Sequence, residues 1–368
     1  MNIGLLGYGT VGKGVYTLCK KNNINVKYIL VRDKNKKLDV DSILTDDINE
    51  IIEDKDIDCV VECIGGNNPA FDYVSLALKN KKKVVSANKK MLVTYLKEIN
   101  DLANENKVSL LYSSACGGGI PILSEVKKIK ESDDIHRIMG IMNGTSNYIL
   151  DRMHDENLEF IDALKSAQDL GYAEKDPSDD IGGVDTANKV VLASLLGFDK
   201  AFKLNDLFVS GINNISKNDI SYFKENGYKC VLLGSGIKDN DSYQLKVIPT
   251  IFKNNIFSSI KLNNNCFMVN SSNLNNLYLI GQGAGSLPTA SNVIKDLLSS
   301  DSYNKKIETF EKCDYDMLPS TYYIRGNINE KYVYKKISDN AYITKKITVN
   351  ELKNIMTDSD FVCEVYDD

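Results

Sequence analysis

The sequence predicts an α/β protein: a doubly wound parallel-sheet domain, a second α+β domain and a short C-terminal α+β tail. Three observations carry that expectation. Over the first hundred or so residues short apolar runs alternate with amphipathic stretches, the pattern of a parallel sheet covered by helices on both faces. Near residue 120 the texture turns helical, and from Val231 short strands return as an antiparallel set. With 368 residues, 43% of them hydrophobic and 26% charged, the chain also exceeds what one core usually organises.

The first five strands are expected at Asn2–Leu6, Val26–Val31, Cys59–Ile64, Lys83–Ser86 and Val108–Tyr112, with helices at Gly12–Lys20, Phe71–Lys79 and Met91–Glu105 between them. The turn Gly65-Gly66-Asn67-Asn68-Pro69 closes the third strand and starts a helix. Helical periodicity follows at Ile122–Ile129, Phe160–Leu170 and Val184–Leu196. The antiparallel set reads Val231–Ile237, Gln244–Ile251, Phe267–Asn270 and Leu277–Gly281, and a glycine-rich loop then opens a helix that runs to Leu298. After Ser320 come three short strands, a helix at Val349–Met356 and a last strand at Phe361–Tyr366.

Composition removes several classes of function. A net charge of −5 offers nothing to a nucleic-acid backbone, and Lys81-Lys82-Lys83 reads as a solvated approach to a strand. No apolar run reaches the roughly 18–20 residues that cross a bilayer, and Met1 is followed by a strand, not a signal core, so a soluble, cytoplasmic protein is expected. Eight scattered cysteines without a CxxC pair read as reduced thiols. With only two histidines, His136 and His154, proton chemistry is sought among lysines and carboxylates.

Gly7-Tyr8-Gly9-Thr10-Val11-Gly12 leaves the first strand and opens an amphipathic helix. In that setting a GxGxxG run is the Rossmann-type dinucleotide fingerprint. Gly7 makes the tight turn, Gly9 admits a pyrophosphate, Gly12 lets helix and strand pack closely, and the amides at Thr10 and Val11 face the phosphates. The side chain that selects the nucleotide sits at the end of the second strand, where Arg32 could pair with a 2′-phosphate and Asp33 could accept from a 2′-hydroxyl. The reading leans to NADP, with NAD open.

Further along, Gly171–Lys189 holds five carboxylates, and a helix starting near Gly183 sets Asp185 and Lys189 four apart on one face. Such a pair is either a surface ion pair or, given the apolar Ala187, Val190, Val191 and Leu192, a buried one suited to capturing a small amino acid's ammonium. Ser86-Ala87-Asn88-Lys89-Lys90 follows the fourth strand, where Lys89 would project toward the nicotinamide end. In Asn143-Gly144-Thr145-Ser146 the hydroxyls either cap a helix or hold a carboxylate. The loop Ala115–Pro121 exposes carbonyls that could hold a monovalent cation, or is a plain hinge.

Taken in order, GYGTVG, SANKK, GGGIPI, NGTSNYIL, GYAEKDPSDDIGGVDTANK and GQGAGSLPTAS resemble the homoserine dehydrogenase family from about residue 2 to 300. The resemblance implies an NAD(P)-binding domain over 1–130 plus 281–300, a catalytic and dimerisation domain over 131–280, and a 320–368 extension too short for a complete ACT domain. It implies a cytoplasmic homodimer that reduces L-aspartate 4-semialdehyde reversibly to L-homoserine, a step toward threonine, methionine and isoleucine. By the match Lys189 is the proton donor, Asp185 orients it, and Lys89 stabilises the forming alkoxide and contacts the cofactor. Ser86, Gly283 and Gly285 join Gly7, Gly9, Thr10, Val11, Gly12 and Arg32 around that cofactor. Glu174 and Asp180 hold the substrate ammonium, and Tyr172, Gly144 and Thr145 complete the pocket. A cation would take backbone carbonyls of Cys116, Gly118 and Ile120, although Ser113 to Cys116 departs from the family, which commonly has a glutamate before this loop. Two rivals stand beside this reading: a nucleotide-sensing regulatory protein without turnover, and an aspartate-semialdehyde dehydrogenase using Cys116 as nucleophile. Retention of Lys89, Glu174, Asp185 and Lys189 together speaks against the first, and the scarcity of histidine bases against the second.

Overall fold

The computed structural model describes residues 1–35 and 37–366. The chain divides into two compact units: Met1–Ser132 with Leu192–Ala201 and Gln282–Phe310, and Asp133–Val191 with Phe202–Gly281 and Glu311–Asp368.

In the first unit β1 (Asn2–Leu6), β2 (Asn25–Leu30), β3 (Ile43–Thr45), β4 (Cys59–Glu62), β5 (Lys83–Ser86) and β6 (Leu110–Leu111) form one parallel sheet in the order β3-β2-β1-β4-β5-β6. Its central strands are apolar without alternation because both faces are covered: Ile3, Leu5 and Leu6 of β1 and Cys59, Val60 and Val61 of β4 are all inaccessible to solvent. Chain order reverses between β1 and β4, so a crevice opens beyond their carboxyl ends, where ligands sit in folds of this kind. Helices Thr10–Lys21 and Ser286–Leu298 pack together, closely enough that a Cβ on Gly14 would stand 2.5 Å from the Ser286 carbonyl oxygen.

Two local features depart from the sequence reading. The helix expected over Met91–Glu105 is two helices, Lys89–Thr94 and Leu96–Asn106, parted at Tyr95 (φ −113°, ψ 35°). There the Tyr95 ring stacks on Phe71 at 3.8 Å between centroids, a tertiary contact that helical periodicity does not report. Strand β3 was not anticipated either; it is three residues long, lies at the sheet edge and leaves Ile43 exposed, so it carries little pattern.

Short strands β8 (Ala201–Phe202) and β14 (Phe310–Glu311) lie where the chain passes from one unit to the other. The sheet of the second unit contains β7 (Ile135–Ile141), β9 (Phe208–Val209), β10 (Lys229–Asp239), β11 (Ser242–Phe252), β12 (Asn264–Ser271), β13 (Asn275–Gln282), β15 (Thr321–Arg325), β16 (Val333–Lys336), β17 (Ala341–Thr344) and β18 (Phe361–Val365). Its order is β13-β12-β7-β10-β11-β18-β15-β17-β16, with β9 also on β11. Strand β7 falls in the stretch read as helical: His136 and Arg137 interrupt its alternation, and Gly140 is there because a Cβ would stand 2.6 Å from the Cys266 carbonyl oxygen. The residues after 320, read from sequence as an extension, extend this same sheet. Phe361, Val362 and Cys363 are buried, β18 runs parallel to β11, and the buried Lys246–Glu364 ion pair (2.6 Å) joins the two strands.

Candidate active site

The chain leaves β1 through Gly7, which has a left-handed φ of +95°. A Cβ there would stand 3.0 Å from the Cys63 carbonyl oxygen, and one on Gly12 would stand 2.2 Å from that of Gly7. Gly9 differs: nothing lies within 4 Å of its would-be Cβ. Thus the outer glycines are required by packing, and the middle one leaves an open approach. Gly9 caps helix Thr10–Lys21 without a side-chain hydrogen bond, and the first-turn amides at Thr10, Val11 and Gly12 have no intrahelical acceptor. These groups fit a dinucleotide's phosphates. Within the same unit Ser286 Oγ donates to the Thr10 carbonyl (2.6 Å), which holds the Gly283–Gly285 loop beside the glycine turn. Past β2, Arg32 is exposed, while the Asp33 carboxylate accepts from the Asn35 amide at 3.0 Å.

At the carboxyl end of β4 lies a residue that the sequence reading passed over. Glu62 is fully buried, with Oε2 accepting from Ser86 Oγ (2.6 Å) and Oε1 from the amides of Ile64 (2.8 Å) and Gly65 (3.3 Å). Burial pushes its pKa up against the opposing pull of these donors. Asn88 donates to Glu62 Oε1 and to the Gly66 carbonyl (2.6 Å), while its Oδ1 accepts from the Met91 amide and so caps the helix whose first residue is the half-buried Lys89. The neighbourhood of Lys89 is therefore set by a carboxylate that looks in sequence like one polar residue in an apolar strand.

The second unit brings together Asp180, Asp185 and Lys189. Helix Val184–Phe198 stacks the last two one turn apart, both buried, with Lys189 Nζ 2.7 Å from Asp185 Oδ2 and also donating to the Met142 carbonyl. The surface alternative for this pair is thereby removed. Asn143 joins the carboxylates, donating from one amide nitrogen to Asp180 Oδ1 (2.6 Å) and Asp185 Oδ2 (2.9 Å), while its Oδ1 accepts from the Ser146 amide and caps helix Gly144–Glu156. Burial first, and the Asp185 charge second, push the Asp180 carboxyl above its ordinary range.

Thr145 donates to the Tyr172 carbonyl (2.7 Å), and the Tyr172 ring lies 5.1 Å from that of Tyr148. At Gly144 the chain passes so near Asn263 that a Cβ would stand 2.7 Å from its carbonyl oxygen. Glu174 stands apart. Its carboxylate is exposed and outside the network, although its carbonyl accepts from Gln168 Nε2.

A cation was expected on carbonyls of Cys116, Gly118 and Ile120, and two of these three carbonyls already have a side-chain donor. Gly118 O and Ile120 O both accept from the Asn292 side-chain amide, at 2.6 and 3.2 Å. Among the described residues no cluster of three or more His, Cys, Asp or Glu could hold a metal ion, and no helix is long and apolar enough to cross a membrane.

Comparison with known proteins gives a consistent answer. A family model described as homoserine dehydrogenase matches residues 121–298, and one described as homoserine dehydrogenase, NAD binding domain, matches residues 7–113. The homoserine dehydrogenase of Bacillus subtilis (strain 168) is 37% identical over 313 residues, covering 81% of this chain and 72% of that protein. That of Synechocystis sp. is 38% identical over 315 residues, with 81% and 73% covered. Among solved structures, a homoserine dehydrogenase from Thiobacillus denitrificans superposes with a TM-score of 0.90 at 27% identity, covering 100% of this chain and 98% of that one.

Proposed function

The chain belongs to the homoserine dehydrogenase family and is an NAD(P)-dependent oxidoreductase acting on a CH–OH group; on that premise we propose how its own residues divide the work. The observation that carries the proposal is the buried Lys189–Asp185 pair, tied through Asn143 to Asp180. When bound, the nicotinamide supplies or accepts the hydride. Lys189 holds the proton that the forming alkoxide takes, and Asp185, 2.7 Å from its Nζ, orients it. Asp180 offers its carboxylate to the substrate ammonium, with Glu174 as a second anion and Gly144, Thr145 and Tyr172 as the pocket wall.

On the first unit Lys89 contacts the cofactor and stabilises the alkoxide charge. Ser86, Gly283 and Gly285 line the nicotinamide side, and Gly7, Gly9, Thr10, Val11 and Gly12 receive the pyrophosphate. Glu62 acts as a positioning group for Ser86 and Asn88. The preferred coenzyme is NADP: Arg32 is available to a 2′-phosphate, whereas the Asp33 carboxylate is turned back onto its own loop. We extend the family reading to a cytoplasmic homodimer.

Absorbance at the reduced-nicotinamide band tests this, with purified protein, L-homoserine and NADP or NAD supplied in turn. Growth of the band with homoserine, faster with NADP, is expected. Silence with both coenzymes, and again with aspartate semialdehyde and NADPH, would reject it.

A further inference from the structure

We propose that the side-chain amide of Asn292 takes the place of a monovalent cation in the loop that follows β6, making this enzyme indifferent to sodium and potassium. The loop turns through Gly117 and Gly118, both at left-handed φ (77° and 54°), and it directs the carbonyls of Gly118 and Ile120 at a single point. That point is the Asn292 amide nitrogen, 2.6 Å from one oxygen and 3.2 Å from the other.

The chemistry fixes which end of the amide faces the loop. Two carbonyl oxygens would repel the amide oxygen, whereas an NH2 group has one proton for each. On the other side Asn292 Oδ1 accepts from Lys295 Nζ at 3.3 Å, one turn along the same helix, which agrees with that assignment. Asn292 is wholly inaccessible to solvent, so its nitrogen donates only within the protein. A cation at the convergence of these carbonyls would have to displace it.

The loop so held is a tight one. A Cβ on Gly118 would stand 2.4 Å from the Gly283 carbonyl oxygen, and the Gly119 amide donates to that of Gln282 at 3.2 Å. Helix Ser286–Leu298 thus grips the loop at two levels, through the turn before it and through Asn292 in its second turn. A cation would give the same carbonyls a positive partner without linking them to the helix; the Asn292 amide, itself part of the helix, links them to it through two hydrogen bonds. The proposal rests on the family reading only for the expectation that a cation belongs here.

The test compares thermal midpoint and turnover in potassium, sodium and N-methylglucamine chlorides at one ionic strength of about 0.1 M. The wild-type protein should give the same midpoint and turnover in all three. Asn292→Ala uncovers the two carbonyls, so its midpoint should fall in N-methylglucamine and recover saturably with sodium or potassium, turnover following. A wild-type midpoint or turnover that rises saturably with either ion overturns the proposal, and so does a folded Asn292→Ala that is flat across the three salts. Should that variant fold in no salt, Asn292→Asp decides: its carboxylate beside two carbonyls should create saturable stabilisation by sodium or potassium, and a flat response rejects the idea. Because the midpoint is read without substrate, absence of homoserine turnover would leave this test standing.

Discussion

In the first unit the phosphate-facing turn works through what is missing, since Gly9 has no atom within 4 Å of a would-be Cβ and the helix behind it has no side-chain cap. In the second unit Asp180, Asp185 and Lys189 crowd three ionisable groups around one asparagine amide, two of them buried on a single helix. As proposed, the turn would hold anions through backbone amides, whose charge does not vary with pH. The cluster owes its chemistry to groups that titrate. Disturbances of size and shape should therefore act on the first site, and disturbances of charge on the second.

The sharpest attempt to break that contrast is Lys189→Ala. Turnover should fall by about 10²–10⁴, the range of a general acid, while NADPH affinity, followed by fluorescence titration, stays near wild type. Equal losses in both would mean that Lys189 supports the fold and not the proton. Next in size is Arg32→Ala, which should weaken NADPH by about tenfold or more, as for a lost charge-assisted hydrogen bond, and leave NADH and the KM for homoserine in place. Parallel losses for the two coenzymes would remove the basis for an NADP preference.

The smallest effect is in pH. Asp180 is raised above its ordinary value of 3.8, so protons reach it at milder acidity than they reach an exposed aspartate. The KM for homoserine should climb as pH falls into that raised window, while the dissociation constant of NADPH stays flat; a flat KM would remove Asp180 from the ammonium site. Stability carries the opposite sign. A raised folded pKa contributes stability below 3.8 that is lost as pH rises through the folded value, so Asp180→Asn should flatten that decline in urea midpoints.

Much of this is legible in the sequence. The parallel strands declared themselves because both their faces are buried, and the glycine turn because its three positions have three different steric needs. The i, i+4 spacing of Asp185 and Lys189 was visible, but whether it lay inside or outside was settled by packing. Asn143, Glu62 and Asn292 were hidden for a common reason. Each is a polar side chain that, beside its local partners, meets others at least 24 residues away, in Asp180 and Asp185, in Ser86 and Asn88, and in Gly118 and Ile120, and no local pattern encodes such pairings. Tyr95 broke a predicted helix for the same reason, through its ring contact with Phe71. Tail strand β18 was found as an element, but not its place between β11 and β15.

That place has a consequence for synthesis. Strand β11 is partnered on one side by β10, its immediate neighbour in the chain, while its other side is shared: β9 meets Lys246 and Val247, and β18 meets Thr250 and Ile251. A chain emerging from the ribosome can zip β10 to β11 at once, yet β11 keeps a bare edge at Thr250 and Ile251 until more than a hundred further residues have been translated. For that interval the nascent sheet offers an unpaired hydrogen-bonding edge to whatever strand is nearest, and a folding helper that shields it would matter most then.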